Sequence, residues 1–237
     1  MDALRSYGQY CPIAKGAELL GDRWTLLIVR EMGFGVRHFN ELERCLPGIS
    51  RSVLAQRLRQ MEHRGLVERR RSESGRTIEY RLTAGGRALK GVLRELGEWA
   101  ATWAFGDPNP DELDPDLLMR WICRHVDHEQ LADRRVVVQF EFRLPRRRRY
   151  WLVLEPGEAS VCMQDPGFGS EVFVKADTGA LYRVYLGRLS LRQAMRDHLV
   201  TVEGASTLVR AFPHWFTWSQ FAPVVRDAAE RRAAAAS

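Results

Sequence analysis

Residues 51–64 carry four hydrogen-bonding side chains on one helical face, with no acid among them: Ser52, Gln56, Arg59 and His63. Ser50 is a favourable N-cap for this segment and Gly65 a favourable residue just beyond its end, so we expect a helix here. The opposite face is an apolar stripe of Leu54, Leu58 and Met61. Glutamine and arginine can pair bidentately with adenine and guanine in the major groove of DNA. The segment therefore fits a DNA-reading helix, although an ordinary solvated face would show the same pattern.

Arginines also mark the two segments that follow this helix. Residues 66–71 and 76–82 alternate as strands around a turn at 72–75, and Arg69, Arg70 and Arg71 end the first strand. Helices followed by a hairpin with a basic tip are typical of a winged helix-turn-helix, whose wing contacts phosphate or the minor groove with salt-dependent affinity. The predicted DNA-binding residues are Ser50, Arg51, Ser52, Gln56, Arg57, Arg59, His63, Arg70, Arg71 and Arg76.

Arg57 differs from the other arginines of this helix because it lies between the apolar and the polar faces. It could contact phosphate, or it could pair with Glu41 or Glu43 and so hold the preceding helix in place. The residue pattern leaves both roles open.

Cys11 comes directly before Pro12, at the expected start of the first helix. A thiol at a helix N-terminus has a lowered pKa and is more nucleophilic, which makes Cys11 a candidate redox sensor. A buried structural cysteine is the alternative. Cys45, expected in the core of the third helix, is not clearly placed to act as a resolving partner.

Metal and catalytic motifs are weak in this sequence. The four cysteines are scattered without metal-ligand spacing, and His125 and His128 supply at most two ligands on one predicted helix. No serine lies in a nucleophile elbow, and no glycine-rich loop could cradle a phosphate. We therefore expect neither an enzyme nor a bound metal or cofactor.

The elements that must position these residues are mostly helical in the first half. Apolar periodicity predicts helices over residues 12–20, 24–32, 38–46 and 84–105, besides the helix over 51–64. The last of them carries a long apolar stripe: Leu89, Leu93, Leu96, Trp99 and Trp103. Packing against the second half is one explanation for this stripe. We favour a homodimer interface, because DNA readers usually pair to match two half-sites.

Charge divides the chain of 237 residues into two parts. Residues 1–105 hold 18 basic and 12 acidic side chains, whereas residues 106–237 hold 18 of each, so the net charge of +6 belongs to the first part. A basic part beside a neutral one suggests a polyanion-binding domain joined to a different domain. We expect domains at 1–106 and 117–225, a proline-rich linker at 107–116 and a tail at 226–237.

Composition excludes several other classes of protein. Hydrophobic residues make up 45% of the chain and charged residues 28%, which is ordinary for a folded soluble protein and excludes disorder. Apolar runs stay far below the roughly 18 residues that a membrane span needs, and no secretory signal is present. We therefore expect a cytoplasmic protein that does not act at a membrane.

Six short signatures within residues 8–104 resemble the HxlR-type regulators, which are related to the MarR group. They are Cys11-Pro12, residues 20–27 (LGDRWTLL), 37–42 (RHFNEL), 47–50 (PGIS), 54–58 (LAQRL) and 65–67 (GLV). The resemblance implies a dimeric winged-helix transcription factor that binds double-stranded operator DNA. In some regulators of this type, the cysteine before the proline senses oxidants or electrophiles. Ala55 departs from the family, which often has Thr or Ser there, so a hydroxyl able to reach DNA is absent.

The second half is expected to be rich in strands. A helix over 117–126 precedes strands over 136–144, 150–154, 159–164, 171–176 and 199–203, with helices over 178–186, 191–197 and 206–212. This order resembles the sterol-carrier-protein fold, in which a helix precedes an antiparallel sheet and helices cover one face around an apolar tunnel. The matching residues are 172–177 (VFVKAD), 186–194 (LGRLSLRQA) and 200–204 (VTVEG). The expected fold class is α+β: an N-terminal winged helix-turn-helix domain followed by an α+β sterol-carrier-like domain with an antiparallel sheet.

The sterol-carrier resemblance implies that the second domain can hold an apolar small molecule. Aromatic side chains that could line its pocket, or simply pack the core, are Trp121, Phe140, Phe142, Trp151, Phe173, Trp215 and Trp218. The basic turn at 146–149 is expected to be a solvated hairpin tip.

The expected function is that of a transcriptional regulator that binds DNA as a dimer and responds to an apolar small molecule. One alternative is a redox or electrophile sensor that acts through Cys11, with a second domain that is only structural. Another is a lipid-binding or carrier protein.

Overall fold

The structure is a computed structural model that describes residues 6–72, 75–143 and 147–235. The chain divides into two compact units, Met1–Leu96 and Gly97–Ser237. The boundary lies inside a long helix, before the linker predicted at 107–116. A Cβ atom on Gly97 would lie 2.3 Å from Cζ of Phe221, so Gly97 permits a close contact within the second unit.

The first unit contains four helices, a hairpin and the start of a fifth helix: α1 Pro12–Leu20, α2 Thr25–Gly33, α3 Phe39–Cys45, α4 Arg51–His63, β1 Val67–Arg71, β2 Ile78–Leu82 and α5 Ala84–Trp103. Ser50 caps α4, since its Oγ accepts the Val53 N–H at 3.3 Å. Gly65 follows α4 with a φ of +69°, a backbone conformation that favours glycine. The predicted elements of this unit are confirmed to within two residues at each end.

One apolar core holds the helices of the first unit together. Ile28 of α2, Leu42 of α3, and Leu54 and Leu58 of α4 are each at most 1% exposed. They belong to one contiguous cluster that also includes Val67 of β1. The apolar stripe of α4 is therefore buried as predicted, and the opposite side of this helix faces away from the core.

The β1–β2 hairpin is anchored at several points in the first unit. The Tyr80 N–H donates to the carbonyl of Arg37 at 2.8 Å, and the Thr83 N–H donates to the carbonyl of Leu66 at 3.1 Å. Thr83 also caps α5, because its Oγ1 accepts the Gly86 N–H at 3.1 Å. A Cβ on Gly86 would lie 2.1 Å from the Leu66 carbonyl oxygen, so a larger residue would not allow α5 to begin this close to β1.

The second unit contains the end of α5 and a mixed set of helices and strands: α6 Pro115–Arg124, β3 Val136–Phe142, β4 Arg148–Glu155, β5 Glu158–Cys162, β6 Val172–Ala176, α7 Thr178–Tyr185, α8 Leu191–Arg196, β7 Val200–Gly204, α9 Ser206–Ala211 and α10 Ala222–Ala235. Asp177 caps α7 by accepting the Ala180 N–H at 2.8 Å. Ser190 caps α8 by accepting the Gln193 N–H at 3.1 Å. The tail predicted from residue 226 is part of α10.

The five strands of the second unit form one sheet in the order β5-β4-β3-β6-β7. Three pairings are antiparallel, but β3 and β6 are parallel. The prediction of an antiparallel sheet is therefore wrong at this pairing. Since β3 and β5 run in the same direction, residues 163–171 must return to the other end of the sheet before β6 begins. A strand that enters by such a crossover runs parallel to its new neighbour.

The two faces of this sheet are unequal. Side chains alternate between the faces along each strand. The inner face forms the main core of the second unit, in which the following residues are 2% exposed or less: Phe140, Phe142, Tyr150, Leu152 and Val174. The outer face carries a smaller buried cluster of Val137, Trp151 and Val153.

Over the described ranges, no helix combines the length and the apolar character that crossing a lipid bilayer would need.

Candidate nucleic-acid interface

The polar face of α4 is accessible. Ser52, Arg59 and His63 are exposed and Gln56 is half-buried. The Oγ atoms of Ser50 and Ser52 lie 3.0 Å apart, within hydrogen-bond distance of each other at the start of the helix. Hydrogen-bonding side chains are therefore presented along the whole length of α4, on the side opposite to the buried stripe.

Arg51 is tied to α3 rather than free in solvent. Its guanidinium forms an ion pair with Glu43 and donates to Asn40 Oδ1 at 3.2 Å. Its Cζ also lies 5.0 Å from the ring centroid of Phe39. The predicted tie between the third and fourth helices is thus made by Arg51, at the start of α4.

Arg57 has a different partner from the two that the sequence suggested. Its Nη2 lies 2.7 Å from Oδ2 of Asp22, and its Nη1 donates to Gln60 Oε1 at 2.6 Å. The proposed pairing with Glu41 or Glu43 is therefore wrong. Arg57 lies on the flank of α4 that meets the turn between α1 and α2, and its side chain is only 25% exposed. This ion pair ties α4 to the turn, and the DNA-contacting role of Arg57 stays a prediction.

Arg64, just beyond α4, reinforces this contact and was not singled out from the sequence. Its Nη1 donates to the carbonyls of Glu18 at 2.8 Å and Leu19 at 3.3 Å. These carbonyls lie in the last turn of α1, where helix acceptors lack intrahelical donors. A lone arginine beyond a helix gives no signal of such a partner, because the acceptors are backbone atoms more than forty residues earlier.

The wing carries uncompensated positive charge. Arg69, Arg71 and Arg76 are exposed and have no ion-pair partner within the described residues. Arg70 donates to Glu68 Oε2 at 2.8 Å. On β2, the hydrogen bond from Arg81 holds the pKa of Glu79 below its usual range, so that this carboxylate stays ionised and paired. Residues 73 and 74, within the predicted turn, lie outside the described residues.

The cysteines occupy different environments. Cys11 is half-buried at the N-cap position of α1, and its side chain makes no capping hydrogen bond there. Cys45 is 2% exposed in the core of the first unit, as expected. Burial raises the pKa of the Cys123 thiol to about 11, which keeps this thiol protonated at neutral pH.

The apolar stripe of α5 is divided between core and solvent. Leu89 and Leu93 pack against the core of the first unit. Leu96, Trp99 and Trp103 are 45%, 58% and 74% exposed. Two tryptophans this exposed are unusual on a protein surface. Contiguous exposed apolar patches commonly mark sites of association.

The seven aromatic residues predicted to line a pocket lie in several places. Phe140, Phe142 and Trp215 are in the core, each at most 2% exposed, and Trp121 packs beside them. Trp151 lies on the outer face of the sheet, and so does Phe173, which is 38% exposed. Trp218 is half-buried and lines a separate cavity. These residues therefore do not surround a single pocket, because alternate positions of a strand point to opposite faces.

Buried tyrosines and a histidine form hydrogen bonds near α6 that the sequence did not predict. The Tyr150 hydroxyl donates to Asp116, and burial together with this carboxylate raises the pKa of Tyr150. The Tyr182 hydroxyl donates to the Asp114 carbonyl at 2.8 Å. Nδ1 of His125 lies within hydrogen-bond distance of the Trp121 carbonyl, at 2.9 Å, and of the Tyr185 hydroxyl, at 3.2 Å. Among the described residues, no group of three or more His, Cys, Asp or Glu side chains could hold a metal ion.

The order of helices, the exposed polar face of α4 and the basic two-stranded wing define a winged helix-turn-helix DNA-binding protein. Comparison with known families agrees, since the HxlR-like helix-turn-helix family matches residues 19–107.

Curated relatives cover the same part of the chain. YvaP from Bacillus subtilis, an uncharacterized HTH-type transcriptional regulator, is 39% identical over 97 residues, which span 40% of this chain and 90% of that protein. MT3179 from Mycobacterium tuberculosis, described in the same words, is 38% identical over 131 residues, 51% of this chain and 80% of that protein. The chain belongs to the HxlR family of helix-turn-helix transcriptional regulators. These relatives are named as regulators and not as enzymes.

A third relative has been studied structurally. The HTH-type transcriptional regulator YodB from Bacillus subtilis is 38% identical over 92 residues, 38% of this chain and 82% of that protein. The solved structures of its reduced and quinone-bound forms are 36% and 37% identical to this chain, with TM-scores of 0.37 and 0.34. They cover 40% and 38% of this chain and 96% of each solved chain.

Proposed function

We propose that this protein is a sequence-specific regulator that binds operator DNA as a homodimer and responds to an apolar small molecule held by its second unit. The observation that carries the DNA-reading role is the state of the three arginines on α4. Arg51 and Arg57 are held by Glu43 and Asp22, whereas Arg59 is exposed and has no partner in the described part of the chain. Arg59 is thus the cation on α4 that is available to pair with a base.

The wing supplies the second part of the interface. With α4 in the major groove, the wing brings Arg69 and Arg71 of β1, and Arg76 just before β2, toward the flanking backbone. Such contacts fix the register of the protein on the duplex and add salt-dependent affinity without selecting a sequence. The hydroxyls of Ser50 and Ser52, at the start of α4, are suited to phosphate contacts near the groove edge.

Dimerisation is proposed through the exposed part of α5. Trp99 and Trp103 present large apolar surfaces to solvent, and a second copy of this helix would cover them. A two-fold dimer places two copies of α4 on successive half-sites, so the operator should be a pseudo-palindrome.

The second unit is proposed to be a sterol-carrier-like domain. Support comes from α6, which precedes a five-stranded sheet, and from the helices that pack with its inner face in one core. Its interior is filled by aromatic side chains, so a ligand would occupy a cavity between helices rather than the centre of the core.

The test is selection of binding sites from random double-stranded DNA with the full-length protein. We expect enrichment of one pseudo-palindromic sequence, bound by two chains per site. Failure to enrich any sequence, with a folded protein that binds DNA only in a salt-dependent manner, would contradict the reading role of α4.

A second candidate function is redox or electrophile sensing through Cys11. Cys11 is half-buried and not wholly enclosed at the start of α1, and the relative YodB has a quinone-bound form. On this hypothesis a quinone should release the operator from wild-type protein and not from Cys11→Ser. An equal response of both proteins would exclude Cys11 as the sensor. A lipid carrier without a DNA target is the remaining alternative, and the site selection described above excludes it if one operator is enriched.

A further inference from the structure

A cavity of about 410 Å³ lies in the second unit. Its walls are the end of α7, the turn between α7 and α8, and the first turns of α10 with the segment before them. We call it the α7–α10 cavity. The lining residues are Val184, Gly187, Leu189, Ser190, Leu191, Trp218, Ala222 and Arg226. Its volume falls within the range of about 300–1,000 Å³ that is typical of small-molecule sites.

The lining of the α7–α10 cavity is mostly apolar. Val184, Leu191 and Ala222 are buried, and Leu189 and Trp218 are half-buried, so that aliphatic and indole surfaces form most of the wall. The Ser190 hydroxyl is already used as the cap of α8. The remaining polar groups of the lining are the indole N–H of Trp218 and a guanidinium, which carries the charge.

Arg226 supplies that guanidinium. It is exposed, and it makes no hydrogen bond or ion pair within the described residues. No acidic residue lines the cavity. A site with an apolar body and one unneutralised cation is complementary to a small amphipathic anion, because arginine binds a carboxylate through two parallel hydrogen bonds.

The backbone around the α7–α10 cavity is constrained. Gly187 has a φ of +81°, and a Cβ there would lie 2.6 Å from the Ala222 carbonyl oxygen, so the two walls meet closely at this point. Arg188, the next residue, donates to Asp107 at 2.5 Å and to the Phe105 carbonyl at 2.6 Å. The turn between α7 and α8 is therefore held by its close contact with Ala222 and by the hydrogen bonds of Arg188. A cavity whose walls are held before binding loses little free energy in ordering them.

We propose that the α7–α10 cavity binds one small amphipathic monocarboxylate, with its apolar body against Leu189, Leu191 and Trp218 and its carboxylate on Arg226. This inference rests on the proposed function, in which the second unit binds the effector. It adds the chemical class of that effector.

The experiment is isothermal titration calorimetry of the full-length protein with decanoate and with decanol, each below the concentration at which it self-associates. Decanol has the same chain and lacks the charge. We expect one decanoate per chain, bound about tenfold more tightly than decanol, since a charge-assisted bidentate contact should favour the carboxylate by about one decade in Kd.

Three variants assign the binding to this cavity. Arg226→Gln should abolish the preference for decanoate over decanol and leave decanol binding unchanged. Arg231→Gln is the matched control, because Arg231 is an exposed arginine of the same helix that does not line the cavity. It should bind both compounds as wild type does. Leu189→Trp should fill the cavity and weaken both compounds.

The inference is overturned if decanoate does not bind, if decanoate and decanol bind equally, or if Arg226→Gln and Arg231→Gln behave alike. Binding to selected operator DNA is measured on the same preparations. A protein that binds decanoate as expected but selects no DNA sequence contradicts the proposed regulatory function alone. A protein that binds its operator but shows no preference for the carboxylate contradicts the cavity assignment alone.

Discussion

Replacement of Arg59 by alanine tests the orientation of α4 directly. Arg59 is exposed and unpartnered within the described residues, so its loss should change the free energy of unfolding by no more than about 0.5 kcal/mol. If its guanidinium pairs bidentately with a guanine, specific binding should weaken by about 1–3 kcal/mol. That corresponds to roughly a 5- to 150-fold rise in Kd at 25 °C.

The assay is fluorescence anisotropy with the selected operator and with every single-base variant of its half-site. Arg59→Ala should lose discrimination at one base position and keep it at the others. Thermal unfolding of the same variant, unchanged from wild type, would show that the loss belongs to the interface and not to the fold.

Arg71→Ala in the wing is the matched control, because Arg71 is also exposed and has no partner among the described residues. It should weaken binding to all sequences alike and reduce the slope of log Kd against log salt concentration by about 1. Arg70→Ala should act in the same way, although Arg70 is paired with Glu68. If Arg59→Ala behaves like these wing variants, the orientation assigned to α4 is wrong.

Three other side chains give measurable predictions. Two of them make contacts that stabilise the fold, and the third is an exposed apolar side chain of α5. Arg57→Ala should lower the free energy of unfolding by about 1–3 kcal/mol in urea denaturation, because Asp22 loses its charged partner. An unchanged midpoint would contradict the positioning role. Tyr150→Phe should cost about 1–3 kcal/mol at neutral pH, because Asp116 loses a buried donor. Since the folded state raises the pKa of Tyr150, its contribution is complete below the unfolded value of about 10 and is lost as the pH rises beyond it. Wild type should therefore lose stability above about pH 10 more steeply than Tyr150→Phe, and parallel profiles would refute this. Trp103→Glu should convert the dimer to a monomer in light scattering, whereas a dimer that survives would exclude this face of α5 as the interface.

The first unit follows closely from local sequence patterns. The stripe of Leu54, Leu58 and Met61 predicts which side of α4 is buried, and Ser50 and Gly65 predict where the helix begins and ends. Both features depend on residues within a few positions of each other. The buried side and the ends of α4 can therefore be predicted from the sequence by the rules of helix periodicity and capping.

The structure does not bring the seven candidate pocket residues together, for a reason that the sequence already contained. Trp151 lies between Tyr150 and Leu152 in β4, and Phe173 lies between Val172 and Val174 in β6. Strand alternation places both on the face opposite to the core. Choosing pocket residues because they are aromatic did not take into account that neighbouring side chains of a strand point to opposite faces.

The partner of Arg57 could not have been predicted in the same way. The position of Arg57 between the two faces of α4 showed that it would meet a neighbouring element, but several acids were equally available. The structure places Asp22 there, 35 positions earlier, and gives Glu43 to Arg51. The parallel pairing of β3 with β6 is a second example, because it depends on the path of the crossover at 163–171.

The sequence by itself determined the winged helix, the polar face of α4, the basic wing and the membership of a regulator family. Only the tertiary structure decided which arginines of α4 are held by acids, which aromatic side chains share a face, and where a ligand-sized cavity lies. The physical reason is that helices, caps and strand alternation arise between residues near in sequence, where the backbone leaves few choices. Ion pairs and cavities arise between segments far apart in sequence, and their partners are set by how the whole chain packs.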